Sequence, residues 1–245
     1  MKIALTIFGL AILASAGLSG CGSAPGQPVP GEMAAIPSAI SDFGVLYAAN
    51  CSGCHGQGGK GGAALALANP VYLAVVDDAT LRNAASRGMP GTSMPAFAQS
   101  AGGLLTDKQI DVIVEGIRQR WSKPNALDGA IAPPYSSTAS GNASRGSAVY
   151  ATYCQSCHGV GGHGSQEASS IVDGAFLALL SDQELRTIVI VGRPEFGAPD
   201  WRNDVPGRPM SPQNVSDVVA WLAAQRPQFP GQPYPTNAQS TGENP

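Results

Sequence analysis

Two pentapeptides in this 245-residue chain hold side chains suited to cofactor chemistry, Cys51-Ser52-Gly53-Cys54-His55 and Cys154-Gln155-Ser156-Cys157-His158. Cysteines three apart fall within one helical turn, so their sulfurs can bracket one edge of a porphyrin while the next side chain points at its centre. In the pattern C-x-x-C-H the two thiols can form thioethers to the two vinyl groups of one haem, and the histidine reaches the iron from the same side. Two copies, 103 positions apart and each followed by glycine, make chance an inadequate account. The other readings are a redox dithiol, a disulfide and a zinc site. A thioredoxin-type Cys-x-x-Cys is expected inside a βαβ pattern, which this sequence lacks. A four-thiolate zinc site must gather both pairs across a long separation, and it leaves the histidines without a role.

Iron held by histidine on one face needs a ligand on the other for low-spin electron transfer, and the thioether of methionine raises the potential. Met89-Pro90 and Met94-Pro95 follow the first motif, and a proline after methionine keeps that residue extended, so the loop can present its sulfur. Met94-Pro95-Ala96-Phe97 resembles the ligand loop of class I cytochromes c, which implies Met94 as the ligand of the first iron and Met89 as the alternative. In the second half, Leu185-Arg186 matches Leu81-Arg82 at an offset of 104, which puts Gly192 on Gly88, Trp201 on Phe97 and Ala198 on Met94. The loop is copied without its sulfur. Met210 is the first candidate to replace it, although it aligns with Leu105, directly before the N-cap Ser211 and Pro212, where a staple residue packs. A vacant or water-filled position is the second candidate. The third is His163, the one spare histidine, which aligns with Lys60 five residues after His158 and so belongs to the attachment side.

The elements that must position these residues are helical. Ser41-Asp42 sit where an N-cap would, ahead of Phe43, Leu46 and Tyr47 at helical spacing up to Cys51. Asp77-Asp78 begin a short helix that Arg87-Gly88 close. Thr106 with Gln109, and Ser181 with Glu184, are capping boxes. The first opens the helix through Ile110, Ile113, Val114 and Ile117. The final helix carries Val215, Val218, Val219, Trp221 and Leu222. Tyr47 and Tyr150 each stand four residues before the first cysteine of their motif. The glycine-rich run 56–62 lacks the strand and the Lys-Ser/Thr of a phosphate loop, and reads as chain wrapping the haem edge.

Charged residues make up 13% of the chain, against 31 glycines and 20 prolines, so loops are abundant. Net charge is −3, one unit more negative once Lys2 leaves with the leader, which argues against a nucleic-acid partner. Met1-Lys2 and the apolar run Ile3 to Leu13 have the shape of a secretory signal. The domain division expected is a leader at 1–20, a flexible tether at 21–38, a first haem domain at 39–121, a Pro/Ser-rich connector at 122–142, a second haem domain at 143–226 and a Pro-rich tail at 227–245.

The leader ends in Leu18-Ser19-Gly20-Cys21, which resembles the bacterial lipoprotein box, where cleavage precedes the cysteine and the cysteine carries lipid. The alternative is an ordinary signal peptide with an unpaired thiol. From about residue 40 to 226 the chain resembles tandem class I cytochromes c, particularly the di-haem c lipoproteins of bacterial respiratory and photosynthetic chains. Gly44 to Cys51 is similar to that family's N-terminal helix, in which a small residue permits close crossing with the C-terminal helix. Gly192-Arg193-Pro194 through Trp201, and Asp217 to Leu222, are similar to c-type subunits accompanying alternative complex III. The resemblance implies an all-α fold in each half, two covalent haem c groups, and an exported protein held at a bacterial membrane by Cys21. It also implies electron transfer between a membrane oxidoreductase and a terminal oxidase or reaction centre. No acid/base pair or nucleophile constellation points to a hydrolase or transferase. The rival is a haem enzyme or gas sensor, as in di-haem c peroxidases, that uses a five-coordinate second haem.

Overall fold

The computed structural model describes residues 36–137, 139–202 and 205–227. The leader, Cys21, the tether up to residue 35 and the tail beyond Pro227 lie outside these residues. The chain divides into two units, 1–39 and 40–245. The described part of the first holds one short 3-10 turn, Pro37–Ala39. The described residues of the second contain ten α-helices and no strand, the all-α architecture that the sequence predicts.

In the first half these are α1 (Phe43–Asn50), α2 (Ser52–His55), α3 (Pro70–Val75), α4 (Asp78–Arg87) and α5 (Asp107–Trp121). The second half repeats them as α6 (Ala143–Tyr153), α7 (Gln155–His158), α8 (Gly174–Ala178), α9 (Asp182–Val191) and α10 (Pro212–Ala223). The caps follow from side chains with an oxygen at the right reach. Asp42 accepts from the Val45 N–H, Asp77 from Thr80, and Asn142 from Arg145. Both capping boxes form, Thr106 with Gln109 and Ser181 with Glu184. Ser211 caps α10 with Pro212 in its first turn, where a missing N–H costs nothing.

Each half is held by its first helix crossing its last. In the second half the crossing is made by Gly146 on α6. A Cβ there would stand 2.0 Å from the Asp217 carbonyl oxygen and 2.7 Å from Trp221 Cβ. In the first half the small residue sits on the opposite helix: a Cβ on Gly116 of α5 would stand 2.0 Å from Phe43 Cδ2. Gly44, the small residue expected at this crossing, is not there, since its Cβ would meet only the Asp42 carboxylate at 3.1 Å. Phe43 and Gly146 occupy the same position before their motifs, and Gly116 and Trp221 the same position after their caps. The large and small partners have changed helices between the halves.

Other contacts are kept despite this exchange. Trp121 and Trp221 come from different positions of the last helix, yet each rests on its tyrosine, with ring centroids 5.1 Å from Tyr47 and 4.4 Å from Tyr150. The arginine that closes each half behaves likewise. Arg118 binds the carbonyls of Leu73 and Val76 and the Asp78 carboxylate. Arg226 binds the three matching groups, the carbonyls of Leu177 and Leu180 and the Asp182 carboxylate.

The halves also bind one another. The buried Asn69 caps α3 through Val71 and Tyr72 and donates to the Val191 carbonyl of α9 at 3.0 Å. The connector packs against the second half: Pro133 is fully buried, and the carbonyls of Pro134 and Tyr135 accept from the buried Arg186.

Candidate haem sites

Cys51 is the C-cap of α1, and Cys54 and His55 lie in α2, one turn further on; Cys154, Cys157 and His158 repeat this between α6 and α7. One cysteine of each pair is half-buried and the other exposed. Behind each motif the chain turns sharply. Gly56 caps α2 at φ +82°, where a Cβ would lie 1.9 Å from the Lys60 carbonyl oxygen, and Gly159 caps α7 at φ +74°. The hydroxyls of Tyr47 and Tyr150 donate to the Gly56 and Gly159 carbonyls. Burial pushes the Tyr47 hydroxyl up to about 12, so it stays protonated as a donor.

The returning loop orients the histidines. Nδ1 of His55 lies 2.7 Å from the Leu65 carbonyl oxygen, and Nδ1 of His158 lies 3.0 Å from that of Ser169. A carbonyl only accepts, so Nδ1 carries the proton and the Nε2 lone pair is left for a metal. Burial lowers the His55 pKa. The bond to Leu65 opposes this and the Arg193 cation adds to it, which keeps the imidazole neutral as a ligand must be.

The other readings of the cysteines fit less well. Burial, with Cys54 beside it, pushes the Cys51 thiol up to about 11, the reverse of what an attacking thiolate needs. Neither pair is closed by a disulfide. Among the described residues no group of three or more His, Cys, Asp or Glu side chains is placed to hold an ion, so the two pairs do not gather into a zinc site. Two thiols on one turn beside a histidine with a fixed tautomer suit covalent haem.

The expected methionine loop follows α4. Met89 N–H donates to the Met94 carbonyl at 3.1 Å, Thr92 Oγ1 donates to the Met89 carbonyl at 2.8 Å, and Met94 N–H donates to Thr92 Oγ1 at 3.1 Å. Both methionines are half-buried. In the second half the Arg193 N–H donates to the Ala198 carbonyl at 2.9 Å as Met89 does to Met94, and the Ala198 N–H donates directly to the Arg193 carbonyl at 3.1 Å where the first half uses the Thr92 hydroxyl, so the loop is closed at the same place with alanine in the place of Met94. Met210 is buried in the core. Its N–H donates to the Trp201 carbonyl as that of Leu105 does to Phe97, the packing equivalence predicted from the alignment. His163 is exposed in the loop after the second motif, on the strip that leads to Ser169. Sequence reasoning missed the Leu65 and Ser169 carbonyls, since a backbone acceptor leaves no trace in residue type, and it missed the reach of Arg193 into the first half.

Paired helical units, each with a Cys-x-x-Cys-His turn behind crossed terminal helices, define a c-type cytochrome, an electron-transferring haem protein. Residues 38–115 and 141–222 both match one family, cytochrome c oxidase, cbb3-type, subunit III, and the chain belongs to it. A chain of the reducing HAO-like protein complex of Kuenenia stuttgartiensis aligns with 78% of this chain and 99% of its own length, at 17% identity and a TM-score of 0.42. No individual curated protein matches the sequence.

Proposed function

We infer that this chain is a di-haem cytochrome c that relays electrons from a membrane oxidoreductase to a terminal acceptor, an oxidase or a reaction centre, on the periplasmic side of a bacterial membrane to which lipid on Cys21 tethers it. The observation that carries this reading is the recurrence, in both halves, of two thiols on one turn beside a histidine whose Nδ1 is spent on a carbonyl. Cys51, Cys54 and His55 would hold one haem, and Cys154, Cys157 and His158 the other, with Met94 completing the first iron. Haem iron, when bound, takes up and releases one electron without a reacting substrate. The chain's own part is to fix each histidine ring through its Nδ1 bond to a carbonyl. The family's description names an oxidase subunit, which supports an oxidase as the acceptor. Among the described residues no helix is long and apolar enough to cross a membrane, so Cys21 is the proposed anchor. Intact-mass analysis of the exported protein tests the reading: two haem additions and an acyl-bearing Cys21 are expected, and a mass lacking the haems overturns it.

One observation favours a second reading. Ala198 stands where Met94 does, and Met210 occupies a core position matching Leu105, which favours an open second iron able to bind a diatomic molecule or peroxide. Carbon monoxide decides. Prompt binding to half of the reduced haem favours the open site, and no binding favours methionine on both irons.

A further inference from the structure

Arg193 stands where Met89 does in the first half, yet its guanidinium leaves its own half. Nη2 donates to the Gly62 carbonyl at 2.8 Å and Nη1 to that of Ala63 at 3.4 Å. Both carbonyls lie on the strip between Cys54 and Leu65, whose carbonyl holds His55. The Ala64 N–H closes that strip onto the Cys54 carbonyl at 2.9 Å. A cation from the second half is thus fastened to the segment that supports the first histidine. It is largely buried, with 16% of its side chain exposed, and its Nε donates at 2.7 Å to Glu195, whose side chain is 11% exposed. The Phe196 ring lies 4.8 Å below the guanidinium. The first half has only the neutral Met89 at this place.

We propose that Arg193, with Glu195 as its counter-charge, is a positioning residue by which the second domain holds the histidine loop of the first and raises the reduction potential of the haem bound there. The inference rests on the electron-relay reading above. A nearby cation disfavours the ferric state, which carries one more positive charge, and a carboxylate opposes it; burial spares both from full solvent screening.

The test uses the full-length haem-loaded protein, titrated spectroelectrochemically with electron paramagnetic resonance to separate the haems. Arg193→Gln is expected to shift the reduction equilibrium of the first haem about threefold or more toward the ferric form, tenfold being about 59 mV for one electron. Glu195→Gln shifts it the other way, Arg193→Lys retains most of the original potential, and the second haem moves less in every case. Amide exchange over residues 56–68 speeds up in Arg193→Gln while that over 159–171 does not. Shifts of one sign in Arg193→Gln and Glu195→Gln, a larger shift at the second haem, or unchanged exchange overturns the proposal. The haem content of the unsubstituted protein tests the relay reading separately, and the exchange measurement reads Arg193 whatever that content is.

Discussion

The two ligand loops differ at the ligand position itself, methionine at 94 and alanine at 198. The backbone bond from Met89 N–H to the Met94 carbonyl recurs from Arg193 to Ala198, so the second loop is closed at the same place and presents a methyl group at 198. Met94→Ala is expected to abolish the weak sulfur-to-iron band of the oxidised protein and to lower the potential of the first haem, since the thioether raises it. Ala198→Met is expected to add such a band and suppress carbon monoxide binding at the second haem. Both are read from the optical spectrum. At this scale the sequence was legible where identity is chemistry: the cysteines, the histidines and the substitution at 198 stand in the letters. The Leu65 and Ser169 carbonyls were not legible, because any residue can supply one.

Among the elements, the crossings make the sharpest prediction. Overpacking costs about 1–3 kcal/mol, and Gly146→Ala belongs at the upper end because its Cβ strikes the Asp217 backbone, which cannot rotate away. Gly116→Ala strikes the edge of the Phe43 ring, which can shift, and belongs lower. Urea unfolding of both variants measures the difference. The same crossing carries a pH dependence. The Arg145 guanidinium, helped by Gln213 and the Asn142 N–H and opposed by burial, holds the Asp217 carboxyl down at about 2, from an ordinary value of 3.8. A depressed carboxylate stabilises the fold fully above its unfolded value and loses that contribution as pH falls toward the folded one. Stability against unfolding, followed from pH 5 to 2, is expected to fall across this window, and to fall less in Asp217→Asn. The caps and helix starts were legible because Asp42, Asp77, Thr106, Ser181 and Ser211 act through their own side chains within one turn. The crossings were not, since Gly44, Gly116 and Gly146 read alike until the facing helix is in place.

Over the whole molecule, the two halves are joined by few but buried groups. Asn69→Ala removes the α3 cap and strands the Val191 carbonyl. A loss of about 2–3 kcal/mol in urea unfolding is expected, of which about 1 belongs to the cap and the rest to the unsatisfied carbonyl. The duplication was readable from the spacing of the motifs, but the docking of the halves was not, because Asn69 and Arg193 find partners more than a hundred residues away. The exchange of bulk between Phe43 with Gly116 and Gly146 with Trp221 bears on how such a duplicated chain sorts itself. If α1 met α10, phenylalanine and tryptophan would claim one space; if α6 met α5, two glycines would face a void. Tandem near-copies are prone to cross-pairing as they fold, and complementary shapes that fit within a repeat but not between repeats steer each N-terminal helix to the partner from its own copy.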